Sequence, residues 1–186
     1  MKILKKIVYN PAVSFLLKLF LSIFYDKKYL SGKFFEKYRA GYWWALKGIP
    51  RRISLSRQHV KWPVGKRTEV LDGNNIHFDS SSLNIFQQPG CYYQGFASIE
   101  IGKDVWIAQN VGIITANHDL KDPEKHSEGK PVKIGDRCWI GMNAIILPGV
   151  TLGDNTVVGA GAVVTRSFPE GHCVIGGNPA RKIKDI

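Results

Sequence analysis

The chain has 186 residues and a formal net charge of +11 at pH 7, which leaves room for one domain with an appendage. The excess charge lies in residues 1–70, where 16 Lys and Arg face three acidic residues, whereas residues 71–186 hold ten basic and twelve acidic residues. This division excludes a uniformly basic domain. Because no recognised nucleic-acid motif accompanies the basic first third, we do not expect nucleic acid as a partner.

The first predicted element is an apolar run over residues 12–25, interrupted only by Lys18 among charged residues. It is shorter than the roughly 20 apolar residues of a membrane-spanning helix, and no small-residue cleavage site of a secretory signal follows it. The helical period places six large side chains on one stripe: Phe15, Leu16, Leu19, Phe20, Ile23 and Phe24. This amphipathic helix, with its flanking lysines, could contact an anionic membrane through residues 1–28, or pack on the chain or a neighbouring subunit.

The next segment, residues 29–46, is rich in aromatic residues and predicts a second helix with a buried aromatic side. Residues 48–52 contain a glycine and a proline, so we expect them to break this helix. Residues 1–53 are therefore predicted to be a basic α-helical extension, and residues 54–186 the main domain. Residues 54–80 are expected to begin that domain irregularly, as the end units of repeat proteins do.

A repeat of six residues runs through residues 101–168. A branched aliphatic recurs at every sixth position, and a small residue usually follows it. Neither an α-helix nor a simple strand has this period. The repeat predicts a mainly β chain in which each hexapeptide forms a short strand and a corner of a parallel β-helix. Nine inward-facing aliphatics define the repeat: Ile101, Ile107, Ile113, Ile134, Ile140, Ile146, Leu152, Val158 and Val164.

The repeat is interrupted once, between His118 and Ile134. The fifteen residues 119–133 are mostly polar and lack an apolar period. A polar insertion in a repeat structure predicts an extruded surface loop, and such loops often carry function. His118 is the last residue before this loop, at the end of a predicted strand.

Three cysteines, Cys91, Cys138 and Cys173, show no CxxC spacing and are odd in number. Cys138 occupies a position where the repeat needs a small inward residue. We therefore expect buried, reduced thiols rather than a disulfide framework or a metal site.

Several motifs together resemble one family over about residues 83–186: the hexapeptide-repeat acyltransferases, in their maltose and galactoside O-acetyltransferase branch. Among these the chain is most similar to the acetyltransferases of capsule and exopolysaccharide assembly. The motifs are I-I-T-A-N-H (113–118), G-K-P-V-K-I-G (129–135), W-I-G (139–141), I-L-P-G-V-T-L-G (146–153), V-G-A-G-A (158–162) and G-G-N-P-A-R (176–181).

The resemblance implies a left-handed parallel β-helix, a homotrimer with sites at subunit boundaries, and acetyl-coenzyme A as acyl donor without a metal. It implies a cytoplasmic enzyme, which would work at the inner face of the membrane if residues 1–28 bind lipid. It further implies O-acetylation of a sugar hydroxyl in polysaccharide biosynthesis. The acceptor would be a small-molecule or lipid-linked saccharide.

His118 is the candidate catalytic residue because histidine can accept a proton near neutral pH. In T-A-N-H (115–118) it matches the position of the family's catalytic histidine, which implies that it acts as the general base. No serine or cysteine lies in a triad-like setting, so the acceptor is expected to attack the donor directly. Asp119 could orient the imidazole or be a solvated loop acid.

The candidates for acceptor binding are Gln88, Asn117 and Glu128. In the family an asparagine one coil before the histidine helps to hold the acceptor, and counting back places Gln88 there. Glu128 lies near where relatives have an acidic residue close to the histidine. His126 could contact the acceptor, although a solvated side chain is the favoured interpretation.

The donor candidates also follow from the resemblance, since coenzyme A lies in the family along a groove between coils of adjacent subunits. Trp139 would flank the pantetheine arm. Met142 stands where relatives often have serine, so a backbone N–H would have to meet a thioester oxyanion. Arginine suits the nucleotide phosphates because its planar guanidinium stays charged. The full set is Trp139, Gly141, Met142, Ala160, Thr165, Arg166 and Arg181.

Alternatives from other classes remain open. An amine acceptor would also need a base, so N-acetylation of an amino-sugar is one, and a non-catalytic β-helix scaffold is another. Metal-dependent hydration on this fold needs three histidines converging on zinc, and only His118 and His126 lie near each other in the sequence. The acceptor, its hydroxyl position and the acyl chain length are not specified by the sequence.

Overall fold

The computed structural model describes residues 10–186. Fourteen short strands make three sheets, here named A, B and C. Sheet A contains β1 (Glu69–Val70), β3 (Tyr92–Tyr93), β6 (Gly112–Ile113), β9 (Ile145–Ile146) and β12 (Val163–Val164). Sheet B contains β2 (Ile76–Phe78), β4 (Ile99–Ile101), β7 (Val132–Ile134) and β10 (Thr151–Leu152). Sheet C contains β5 (Trp106–Ile107), β8 (Trp139–Ile140), β11 (Val157–Val158), β13 (Cys173–Gly176) and β14 (Arg181–Asp185).

From β3 to β12 the chain visits sheets A, B and C in turn, so each circuit is one coil of a parallel β-helix. The repeat aliphatics stack in register. In sheet C, for example, Ile107 pairs with Ile140, which pairs with Val158. All nine are at most 4% exposed. The structure thus confirms the predicted stack of parallel strands, whereas its left-handed sense stays a prediction. Only β14 runs antiparallel, against β13.

The corners between strands bring neighbouring coils into close contact. A Cβ added at Gly135 would lie 2.7 Å from the backbone nitrogen of Asp154, and one at Gly153 would lie 2.2 Å from the carbonyl oxygen of Pro169. Real Cβ atoms do not approach other atoms so closely. The small residues that follow the repeat aliphatics are therefore needed because adjacent backbones touch at these corners.

Within residues 10–186, three α-helices precede the β-helix: α1 (Pro11–Leu21), α2 (Lys33–Glu36) and α3 (Ala40–Ser54). Short 3-10 helices cover Lys27–Leu30, Ser56–Gln58, Gly73–Asn75 and Ser80–Gln87. α1 begins with a cap, because the side chain of Asn10 accepts a hydrogen bond from the Ala12 N–H at 3.0 Å. Pro11 occupies the first helical position, where a missing N–H costs no hydrogen bond.

The prediction of one helix over residues 29–46, broken at 48–52, was wrong in both respects. The helix is divided earlier, since Gly32 and Arg39 have φ angles of 80° and 57°. α3 continues through Pro50, which removes only one backbone donor. Its end is anchored by tertiary contacts: Arg51 donates to the Thr68 carbonyl at 2.9 Å, and Arg52 to the Phe24 carbonyl at 2.9 Å.

The helices and the first coils share one hydrophobic core. The Tyr29 ring stacks on Phe78, with centroids 4.6 Å apart, and meets Trp62 edge-on at 5.4 Å. Phe86 continues this cluster, 5.0 Å from Trp62 and 4.8 Å from Tyr93. The aromatic side chains thus cover the open first end of the β-helix, as end units of repeat proteins must. The division into domains at residues 53 and 54 stays a prediction.

All three cysteines are buried and free. Burial raises the pKa of the Cys138 thiol to about 11 and also raises the pKa of Cys91. A higher thiol pKa means less of the reactive thiolate at neutral pH. The cysteines therefore serve as small core residues, as the sequence predicts.

We predict that Ile140→Ala lowers the free energy of unfolding by about 2–5 kcal/mol, because it leaves a cavity between two stacked coils. The side chain of Ile140 is fully buried. Gln109→Ala, at an exposed position, is the control and should change the free energy by less than about 0.5 kcal/mol. Urea unfolding at one fixed protein concentration measures both. Equal stability of the two variants would contradict the stacked core.

Candidate active site

The segment between β6 and β7 leaves the coil and folds back on itself. Thr115 O accepts a hydrogen bond from Lys130 N at 2.7 Å, and Asn117 O accepts one from Ser127 N at 2.8 Å. His118 and His126 face each other in an isolated antiparallel bridge. The two arms of the loop thus form a narrow ladder with His118 on the outgoing arm.

The Asp119 carboxylate accepts hydrogen bonds from the turn of this loop and not from the imidazole of His118. One oxygen of its carboxylate accepts the Lys121 N–H at 2.8 Å and the Asp122 N–H at 3.0 Å. Its backbone N–H donates to Lys125 O at 2.9 Å. The carboxylate therefore acts on His118 only by shaping the turn that holds it.

His118 Nδ1 lies 2.6 Å from the carbonyl oxygen of Pro123. A carbonyl oxygen can only accept, so Nδ1 carries the proton and donates it in this hydrogen bond. In the neutral ring Nε2 then has a free lone pair. His118 is exposed, so a substrate can approach this nitrogen. A general base requires an accessible nitrogen with a free lone pair.

Two further rings pack beside His118. The His126 ring lies 4.4 Å from it, centroid to centroid, with 35° between the planes. Phe96 in turn meets His126 edge-on at 5.3 Å. His126 is exposed, as the favoured interpretation of a solvated loop residue expects, and its ring also packs against the His118 ring. Sequence reasoning missed Phe96, which lies outside the repeat motifs.

Gln94 fixes the backbone that leads to His118. Its side-chain oxygen accepts hydrogen bonds from Thr115 N at 3.0 Å and Ala116 N at 2.8 Å. The buried Thr115 hydroxyl donates to the Gln94 carbonyl and accepts the Ala97 N–H at 3.0 Å. Sequence reasoning missed Gln94 as well. The pairing of β3 with β6, one coil apart, is the signal that could have found it.

The three candidates for acceptor binding do not all lie close together within one chain. Asn117 and Glu128 are exposed on the two arms of the loop, close in sequence to His118 and His126. Gln88 is half-buried and follows the 3-10 helix that ends at Gln87, before β3. His118 follows β6, the strand paired with β3, so Gln88 lies toward the opposite end of these sheet A strands.

The donor candidates fall into two groups. Trp139 is 57% exposed on sheet C, in register with Trp106. Met142 and Ala160 are exposed at the following corner, where Gly141 N donates to Val158 O and Gly161 N to Met142 O, both at 2.8 Å.

The second group, Thr165 and Arg166, is exposed at the corner after β12, in sheet A. The Arg166 guanidinium lies 5.3 Å from the Phe168 ring centre. Arg181 is exposed at the start of β14 and pairs with Gly176.

His118 and Trp139 lie on different sides of the β-helix within one chain. His118 follows β6 in sheet A, and Trp139 begins β8 in sheet C, with β7 of sheet B between them. A single chain therefore does not bring these two candidate residues together.

The described part of the chain, residues 10–186, contains no group of three or more His, Cys, Asp and Glu residues that could hold a metal ion. His118 and His126 form only a pair. The geometry seen here offers no zinc site of the three-histidine kind.

Comparisons with known proteins agree with this architecture. Residues 131–166 match a family model described as the hexapeptide repeat of succinyl-transferase. A solved maltose O-acetyltransferase from Clostridium difficile is 33% identical, with a TM-score of 0.54, and the match covers 92% of this chain and 84% of that one. The chain belongs to the hexapeptide-repeat acyltransferase family.

Two other members of the hexapeptide-repeat acyltransferases show how far the likeness extends. Galactoside O-acetyltransferase of Escherichia coli is 36% identical over 119 residues, which cover 61% of this chain and 56% of that protein. A hexapeptide-repeat acetyltransferase from Vibrio cholerae has 26% identity and a TM-score of 0.51, with 73% of this chain and 80% of that one covered. The chain spans 55–60% of the length of the first four curated relatives it matches.

The segment matched by the hexapeptide family model begins at residue 131, in the last residues of the loop that follows His118. It contains β7 to β12 and the candidates from Trp139 to Arg166. The site roles of the individual residues stay predictions.

We predict that Gln94→Ala speeds amide hydrogen exchange at Thr115 and Ala116 by about 10- to 100-fold, because each buried hydrogen bond contributes about 1–3 kcal/mol when its partner is left unsatisfied. Gln109→Ala, exposed on the neighbouring coil, should leave these two amides unchanged. Exchange measured by NMR tests this. Unchanged rates in the Gln94 variant would show that its side chain does not hold the loop.

Proposed function

We propose that the protein transfers an acetyl group from acetyl-coenzyme A to a sugar hydroxyl, in the assembly of a capsule or another polysaccharide. Family membership and the names of the maltose and galactoside O-acetyltransferases support the reaction class. The polysaccharide role rests on the sequence resemblance. A cytoplasmic location likewise stays a prediction.

The proposed mechanism is direct attack with His118 as general base. Nε2 takes the acceptor proton while the acceptor oxygen bonds to the thioester carbon. When the tetrahedral intermediate collapses, the carbon–sulfur bond breaks and the thiolate of coenzyme A receives the proton from the imidazolium. The observation that carries this proposal is the hydrogen bond from Nδ1 to Pro123 O, because in the neutral ring it leaves Nε2 unprotonated.

The exposed surface beside Trp139 is proposed to form one wall of the donor groove. Trp139 and Met142 are 57% and 44% exposed and present apolar surface for the pantetheine arm. Ala160 and the glycine beside it add little bulk at this corner, and a Cβ added at Gly161 would meet nothing within 4 Å. We assign the phosphates to Thr165, Arg166 and Arg181, and the oxyanion to a backbone N–H beside Met142.

The proposed acceptor site is the exposed side of the His118 loop, with Asn117 and Glu128 beside the base. Gln88 would join it from another subunit, because its own chain holds it at the far end of the sheet A strands. A closed trimer can bring the base of one subunit to the donor groove of the next. The separation of His118 from Trp139 by β7 supports this shared site.

We predict that His118→Ala lowers the rate of acceptor-dependent coenzyme A release by at least about 100-fold, because the attacking hydroxyl loses its base. His77→Ala, an exposed histidine on sheet B, is the matched control and should keep full activity. A thiol assay with simple sugars, amino-sugars and lipid-linked saccharides measures both. Equal rates for the two variants would overturn the role of His118. If every product is acetylated on nitrogen, the enzyme is an N-acetyltransferase and not an O-acetyltransferase.

We predict that mixed oligomers of two inactive variants regain activity. Ala160→Trp fills the donor groove and His118→Ala removes the base. Random mixing through unfolding and refolding would leave about a quarter of the shared sites with both halves intact. Each variant refolded alone is the control. No recovery in mixed oligomers would place the whole site within one chain.

A further inference from the structure

Helix α1 and the turn that follows it, residues 22–24, are apolar on two opposite faces. On the inner face Leu21 is fully buried, and Leu17 and Phe24 pack against the core. The outer face presents five large apolar side chains: Phe15 (68% exposed), Leu16 (63%), Leu19 (60%), Phe20 (45%) and Ile23 (75%). We call these five residues the outer patch. Thus only Phe24 of the predicted apolar stripe packs on the chain's own core.

A large contiguous apolar surface is normally covered in a soluble protein. In residues 10–186 the inner face of α1 is covered and the outer patch is not. The patch therefore has the composition of a buried surface, and an apolar partner would remove it from water.

The charges around the outer patch are positive. Lys18 and Lys27 line a shallow groove with Phe15 and Leu19. The ion pair from Lys18 to the exposed Glu36 is long, at 4.0 Å, and so contributes little. In the sequence, residues 1–28 hold six lysines and one acid, Asp26, for a net charge of +5.

These charges favour an anionic partner. If the outer patch met its own copy about a two-fold axis, the lysines of each copy would be brought toward those of the other. An anionic surface instead complements them. α1 is about 16 Å long, about half the roughly 30 Å thickness of a bilayer core. Among the described helices none is long and apolar enough to cross a membrane.

We propose that α1 lies in the plane of an anionic membrane surface. The outer patch enters the boundary between headgroups and acyl chains, and the lysines at positions 18, 27 and 28 contact lipid phosphates. The inner face stays packed on the protein. Membrane binding by α1 does not depend on acetyl transfer. An experiment can therefore refute one of the two proposals and leave the other standing.

Vesicle flotation of the full chain tests the proposal. Vesicles of phosphatidylcholine alone are compared with vesicles that also contain phosphatidylglycerol, at about a third of the lipid. We expect flotation with the anionic vesicles at low salt and release at about 0.5 M salt. Phe15→Ser with Ile23→Ser should bind at least about tenfold more weakly. The control, Ile53→Ser with Ile183→Ser, removes side chains that are 61% and 65% exposed elsewhere and should bind normally.

A second variant keeps the test valid if the patch variant fails to fold. Lys27→Gln with Lys28→Gln leaves the apolar residues intact, and it should weaken binding to anionic vesicles several-fold at low salt. The proposal is overturned if the full chain does not float with anionic vesicles, or if the charge variant and a folded patch variant bind like the unmodified chain. A patch variant with a smaller oligomer, together with no vesicle binding by the full chain, would assign the outer patch to a second copy instead.

Discussion

The structure depends on the vertical stacking of buried aliphatic side chains. Each of the three coils in the repeat from Ile101 to Val164 contributes one branched aliphatic to each sheet, and most strands are only two or three residues long. A strand of this length cannot persist alone, so each coil is held by the coils above and below it. The close approach of backbones at the corners follows from this stack. Any side chain at Gly135 or Gly153 would push two coils apart.

The same stack allows a polar loop to interrupt the repeat without interrupting the core. Ile113, before the loop, pairs with Ile146, and Ile134, after it, pairs with both Ile101 and Leu152. The loop leaves at a fixed corner and is held by its own ladder and by Gln94. The orientation of His118 is therefore set by hydrogen bonds to backbone atoms, while the stability of the fold comes from other residues.

The sequence predicts the elements whose causes are local and periodic. The sixfold recurrence of residues such as Ile140 and Val158 predicts the stacked core, and the end of the repeat at His118 predicts the loop. The path of α3 through Pro50 could not be predicted, because Arg51 and Arg52 hold it through contacts distant in sequence. At the candidate site the motif indicates His118. It does not indicate Pro123, Gln94 or Phe96, whose contacts depend on the turn and on the register between coils.

The geometry of the β-helix also explains why a site built on it would be divided. A coil with three sides fixes the direction in which each side faces, so the corner after β6 and the surface of β8 cannot turn toward each other. The two parts of the proposed site keep a constant angle on each chain. In a rotationally symmetric oligomer, one part on each copy can therefore meet the other part on the next copy. In the proposed trimer the extruded loop would span the remaining distance. The hydrogen bonds between the two arms of the loop would then fix the orientation of His118 at the boundary between subunits, where the core of its own chain does not support it.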